Sequence, residues 1–230
     1  MIKPSKIYKM RIVFRLAADA PGRADMVGTL RHMIMTSGLP FARAKQNPNV
    51  PRIAYGPSVK RGQFAAREYV DIYLFSSVSA SKVREQLVAC QPQGLTILDA
   101  QRVPFTLAGV QQLADVAAYE VNGDFASYAP RQTFENYISA SRLEVTQQAE
   151  NGMSFTRDIK PFVHSVQTLG PDKVLLMLRR VAEKWINPLE VICAWLGIEV
   201  PVTEEEAGER FIITRQGLYW TDSENNLHLI

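Results

Sequence analysis

The sequence predicts an α+β fold made of two tandem βαββαβ units, and three observations carry that prediction. Apolar residues recur in two ways along the chain, as β-favouring runs in some segments and three and four residues apart in others. Turn chemistry separates these segments at Asp19-Ala20-Pro21-Gly22, Asn47-Pro48-Asn49-Val50-Pro51 and Pro92-Gln93-Gly94. The order of segments in the first half then recurs, less clearly, in the second. At 230 residues the chain exceeds the usual single-domain size. The reading divides it into a basic unit over residues 1–115 and an acidic unit over residues 116–230.

Lys9 to Leu16 alternates loosely and reads as a strand. Met26, Val27, Leu30, Met33 and Ile34 then recur at helical spacing, and Gly38 closes that helix. Leu39 to Lys45 reads as a second strand, interrupted by the Pro- and Asn-rich loop, and Arg52 to Tyr55 as a short strand after it. Glu68 to Phe75, with Tyr69, Ile72 and Tyr73 around Asp71, is the clearest strand of the chain. Ser79 or Ser81 caps a helix that carries Val83, Leu87 and Val88, and Leu95 to Val103 is the closing strand. Strands and helices in this order define a ferredoxin-like unit.

In the second half, a strand at Ala118 to Val121 leads through Gly123-Asp124 to a helix after Pro130 that carries Phe134, Tyr137 and Ile138. Strands follow at Leu143 to Gln147 and Val174 to Val181. Asn187-Pro188 starts a helix through Leu189, Ile192, Cys193 and Leu196, because asparagine caps helices and proline suits their first position. Phe211 to Arg215 is the last strand. The expected architecture is therefore two ferredoxin-like units in tandem.

Composition sets limits on function. A hydrophobic fraction of 47% and a charged fraction of 21% are those of a chain that folds. Cys90 and Cys193 lie far apart in apolar segments, which argues against a disulfide framework or a thiolate metal site and for a reducing, cytoplasmic setting. The lysines before Arg11 are followed only by the short run Ile12-Val13-Phe14, so no export signal is expected. The longest apolar runs, such as Val174 to Leu178, fall far short of the roughly 20 residues that span a bilayer, so no membrane association is expected either. The net charge of +3 conceals an asymmetry. Up to Tyr119, sixteen Lys and Arg stand against seven Asp and Glu, and beyond it ten stand against sixteen. The basic half suits a polyanion, and the acidic run Glu204-Glu205-Glu206 reads as an exposed loop.

Candidate site residues fall into two groups. Arg43, Lys45, Arg52, Lys60 and Arg61 lie in or beside the loop-rich stretch before the strong strand, with Phe41, Tyr55 and Phe64 interleaved and Arg67 following. Cations bind phosphates and aromatic faces stack on unpaired bases, a mixture that suits single-stranded RNA; a solvated basic face accounts for the same residues. In the second half, Asp158 stands between Arg157 and Lys160, ahead of Pro161, and either holds a ligand or ties a loop to the sheet. The histidines His32, His164 and His228 show no metal-ligand spacing, and Cys90 and Cys193 have no adjacent base. Gly56 to Gly62 lacks the Gly-Lys-Ser or Gly-Lys-Thr ending of a phosphate loop. No catalytic residue, metal site or cofactor is assigned from these residues.

The stretch FARAKQNPNVPRIAYGPSVKRGQFAAREYVDIYL, from Phe41 to Leu74, resembles one in the radical-SAM-linked family of uncharacterised bacterial proteins. Phe155-Thr156-Arg157-Asp158-Ile159-Lys160-Pro161-Phe162-Val163 is similar to that family's Arg-Asp-Ile-Arg-Pro-type motif, and Asn187-Pro188-Leu189-Glu190-Val191 to its Pro-x-Glu-Val helix start. Where the family usually has Ser-His-Leu-Asp, this chain has Gly22-Arg23-Ala24-Asp25, so any role of that histidine does not carry over. The resemblance implies a helper that works with a cobalamin-binding radical SAM protein in an RNA-related setting. The iron–sulfur chemistry would then belong to the partner, since this chain has no cysteine cluster. The expected function is a non-catalytic accessory or substrate-recognition protein that binds RNA or another polyanion. Two alternatives stand beside it. One is a metal-independent ribonuclease resembling the CRISPR repeat-processing enzymes, with His32 as its acid or base; the other is a scaffold that contacts only protein.

Overall fold

The computed structural model describes residues 7–17, 20, 23–59, 63–148, 154–200 and 208–230. It is an α+β protein with a mostly antiparallel sheet, every strand pair within its two units being antiparallel. The chain divides into two compact units, Met1–Ala114 with Ile230 and Asp115–Leu229.

The first unit runs β1 (Tyr8–Leu16), α1 (Arg23–Thr36), β2 (Ile53–Tyr55), β3 (Phe64–Leu74), α2 (Ala80–Val88), β4 (Leu95–Val103) and the short α3 (Val110–Leu113). Its strands lie in the order β4, β1, β3, with β2 paired to β3. Register assigns the two faces, because side chains alternate along a strand. Met10, Ile12, Phe14 and Leu16 of β1, Val70, Ile72 and Leu74 of β3, and Leu95 and Ile97 of β4 form the core with Leu30, Met33 and Ile34 of α1 and Val83 and Leu87 of α2. Burying each such side chain contributes about 1.5–3 kcal/mol before entropy is counted. Lys9, Arg11, Tyr69, Asp71 and Tyr73 have the opposite parity and lie on the other face. α3 packs on β2 and β3.

Local chemistry explains the helix ends. The Ser79 hydroxyl accepts the Lys82 amide at 3.3 Å and caps α2. Gly38, two residues beyond α1, has φ +71°, a conformation glycine adopts without a Cβ penalty. The Leu39 to Lys45 segment differs from expectation. It is no continuous strand and makes only isolated bridges, Phe41 to Leu74 and Arg43 to Pro51. Pro40 and the Asn47–Pro51 turn interrupt regular pairing there, and the strand beside β3 is the three-residue β2.

The second unit runs β5 (Val116–Asn122), a 3-10 turn (Phe125–Tyr128), α4 (Phe134–Ser139), β6 (Glu144–Gln148), β7 (Ser154–Asp158), β8 (Val163–Gly170), β9 (Lys173–Arg179), α5 (Pro188–Leu196), β10 (Ile212–Thr221) and β11 (Leu227–Leu229). Its sheet order is β10, β5, β9, β8, with β11 on β10. The expected strand at Leu143 to Gln147 is β6, but it pairs only with β7 in a separate two-stranded sheet. The place beside β9 belongs to β8, whose half-exposed sequence VHSVQTLG hides the apolar alternation that marks a strand. α5 begins as expected: Asn187 and Glu190 form a reciprocal capping box, and Gly197 at φ +70° closes the helix. Phe134 stacks on Trp195 at 4.6 Å between centroids, and Phe125 lies 5.3 Å from the same indole. Among the described residues, no helix is long and apolar enough to cross a membrane.

Candidate functional site

The face of the first sheet away from α1 and α2 carries a buried ion cluster. Asp71 is fully buried and accepts Arg11 Nε at 2.8 Å and Arg11 Nη2 at 3.1 Å, while Lys9 Nζ lies 3.0 Å from its second oxygen. Strand pairing places these groups together, because Arg11 sits opposite Asp71 and Lys9 opposite Tyr73. One carboxylate offsets only one of the two cations. Backbone carbonyls supply the remaining acceptors: the Lys9 ammonium donates to Leu107 O at 2.8 Å and to Ala108 O at 3.0 Å. A buried charge without such partners would cost several kcal/mol.

The same bonds pin the segment after β4 onto the sheet. Leu107 N donates to Pro104 O at 3.1 Å, closing a turn whose second residue is Phe105. The Phe105 ring, 51% exposed, meets Tyr73 edge to face at 6.1 Å. Arg52 completes the group, its guanidinium carbon 4.1 Å from the Tyr73 centroid and 5.5 Å from that of Phe105. Burial raises the Tyr73 phenol above its ordinary value, with Arg52 opposing the shift.

Backbone bonds bring the basic loop to this point. Ala42 N donates to Tyr73 O at 2.6 Å, and Arg52 N donates to Ala42 O at 2.7 Å, so Arg43 follows directly on a residue bonded to both. Arg43 and Lys45 are exposed, and one Arg43 amino group donates to Pro48 O at 2.8 Å. Tyr55 is placed differently. Its ring packs against the core, burial raises its phenol, and nearby Arg31 opposes that shift. Lys60 and Arg61 lie outside the described residues, as does the Glu204-Glu205-Glu206 run.

Arg157, Asp158 and Lys160 belong to the second unit and hold its loops. Asp158 Oδ1 accepts the amides of Leu143 and Lys160, each at 3.0 Å, and these bonds lower its carboxyl below the ordinary value. Lys160 Nζ donates to the Ile138 carbonyl, and Arg157 pairs with Glu190 of the α5 capping box. Each of these three side chains has a partner within its own unit, while the buried Arg157 Nε itself makes no hydrogen bond.

His32 is exposed on α1 rather than set among its buried positions. His164 lies 3.2 Å from the Ser165 hydroxyl, and burial and Arg179 lower its imidazole below the ordinary value. His228 bonds to Asp222 at 2.7 Å and stacks on Trp220. Among the described residues, no group of three His, Cys, Asp or Glu side chains is placed to hold a metal ion.

Of the residues singled out in the sequence, Arg52 is the one that meets Tyr73 and Phe105; Lys9, Arg11, Asp71, Tyr73 and Phe105 were not among the candidates. The signal available was Asp71 inside the apolar run Tyr69 to Leu74 of β3, since a buried carboxylate demands a counter-charge.

Comparison with known proteins places the chain in an uncharacterised bacterial family. Residues 21–188 match the model of a family described as uncharacterized protein conserved in bacteria (DUF2344). The chain belongs to that family. The matched span includes the basic loop, β3 and the Phe105 turn, as well as Arg157, Asp158 and Lys160. No curated protein matches the chain.

Proposed function

We propose that this chain is a recognition module without chemistry of its own, which binds RNA or a comparable polyanion through its first unit and presents it to a radical SAM partner. The observation that carries the reading is the Arg52 guanidinium laid on Tyr73 and on exposed Phe105, in a unit whose loop before Arg52 also exposes Arg43 and Lys45. Cations and aromatic faces side by side are what a single strand requires. Charge supports it too: residues 1–114 hold sixteen Lys and Arg against six Asp and Glu, a net of +10.

The same proposal includes two tandem ferredoxin-like units. Its support is that strand order β4, β1, β3, β2 in the first unit has a counterpart in β10, β5, β9, β8 in the second, with the β6–β7 hairpin as an insertion. The radical SAM partner rests on the motifs at Phe41–Leu74, 155–163 and 187–191. A cytoplasmic setting accords with free Cys90 and Cys193.

Retention of RNA by the immobilised chain, measured from low to high ionic strength, tests the binding. Salt-sensitive retention is expected, and no retention at low salt rejects the RNA version. Sizing the RNA after incubation without metal separates binding from the ribonuclease alternative. Cleavage abolished by His32→Ala would favour that alternative. Recovery of a radical SAM protein without RNA would favour the protein-only scaffold.

A further inference from the structure

We infer that Phe105 is a stacking seat for one unpaired nucleobase of single-stranded RNA, with Arg52 beside it and the neighbouring phosphates held by Arg43 and Lys45. The inference rests on the binding function proposed above and specifies its ligand and contact. A half-exposed phenylalanine gains little by facing water, yet this one sits on a turn fixed from beneath by a fully buried ammonium. The turn cannot swing away without unpairing Lys9, so its backbone is held in one place before any ligand arrives. Such preorganisation lowers the entropy cost of binding. Tyr73 meets the ring at 76°, and the Arg52 guanidinium lies over it, 5.5 Å from its centroid. An aromatic face next to a guanidinium takes any base by stacking, without reading its sequence. A polyanion without bases would use the cations but gain nothing from the ring.

That difference defines the experiment. Fluorescence anisotropy of a labelled oligoadenylate, with inorganic polyphosphate as a competitor without bases, is compared for the wild-type chain, Phe105→Leu and Phe105→Trp. Phe105→Leu keeps an apolar side chain on the turn and removes the π face; unchanged thermal unfolding confirms an intact fold. The expected result is oligoadenylate binding weakened about tenfold by Phe105→Leu and retained by Phe105→Trp. Polyphosphate binding and the slope of affinity against salt stay unchanged, because no phosphate contact is lost. An adenine analogue, 2-aminopurine, placed in the strand should be quenched by the wild type and not by Phe105→Leu. Equal affinities for all three chains, or equal losses towards RNA and polyphosphate, overturn the stacking seat while leaving polyanion binding intact. Wild-type binding of polyphosphate but not RNA does the same. Binding of neither at low salt removes the proposed function and this inference together.

Discussion

Lys9 and Asp71 form an ion pair of 3.0 Å in which both side chains are wholly buried. Together with Arg11 they place two cations on one carboxylate, and the balance is made by the carbonyl dipoles of Leu107 and Ala108. The cluster therefore joins β1, β3 and the turn that presents Phe105.

Removing the carboxylate should be far costlier than removing one cation. Asp71→Asn leaves two buried cations without a counter-charge and is expected to cost about 3–5 kcal/mol. Lys9→Met keeps the Arg11–Asp71 pair and the 3.5 Å bond from Arg11 to Ala108 O, and is expected to cost about 1–3 kcal/mol, mainly from the unmatched carbonyl of Leu107. Urea unfolding of both variants measures the difference, and equal midpoints would contradict this account.

Two glycines with similar backbone angles should respond differently to alanine. Gly94 has φ +78°, and a Cβ there would stand 2.8 Å from Ala20 Cα, a backbone atom that cannot move aside cheaply. Gly197 has φ +70° with open space around it. Gly197→Ala is expected to cost about 1 kcal/mol from the left-handed conformation alone, and Gly94→Ala about 2–4 kcal/mol from that plus the collision. Thermal melts of the two variants test the ranking.

The Asp158 carboxylate predicts a specific dependence on acid. Its folded value is depressed, first by the Leu143 amide and then by that of Lys160, so the folded state binds its proton less readily than the unfolded chain does. The resulting stabilisation is present above the unfolded value near 3.8 and is lost as pH falls through the lower folded value. Asp158→Asn should therefore be less stable than wild type at neutral pH, with the gap narrowing as the solution is acidified into that window. Urea midpoints at a series of pH values give the comparison; a constant gap would mean that geometry rather than charge is at work.

Glu190 has two duties, which substitution can divide. Its carboxylate meets Arg157, and its Oε1 accepts the Asn187 amide at 3.4 Å in the capping box. Glu190→Gln retains an acceptor for the cap and loses the charge; Glu190→Ala loses both and should be the less stable by about 1 kcal/mol. If the two variants melt together, the cap contributes nothing beyond the ion pair.

The α5 helix shows how much local chemistry alone can specify. Asn187, Pro188 and Glu190 at its start and Gly197 at its end fix both boundaries, since every bond involved lies within a few residues. β1, β3, α2 and β4 were legible for a related reason: each shows its apolar pattern or its cap within its own segment. By itself, then, the sequence determined the α+β class, these elements and the concentration of positive charge in the first half. Tertiary structure decided that β6 leaves the main sheet, that exposed β8 takes the place beside β9, and that Arg52, Tyr73 and Phe105 meet although more than fifty residues separate the first from the last. It also decided that Asp71 draws Lys9 and Arg11 beneath the Phe105 turn. The physical reason is that strand register, which sets which side chains share a face, depends on pairing between segments remote in sequence. A buried carboxylate announces that it needs a counter-charge, and only the register says which residue supplies it.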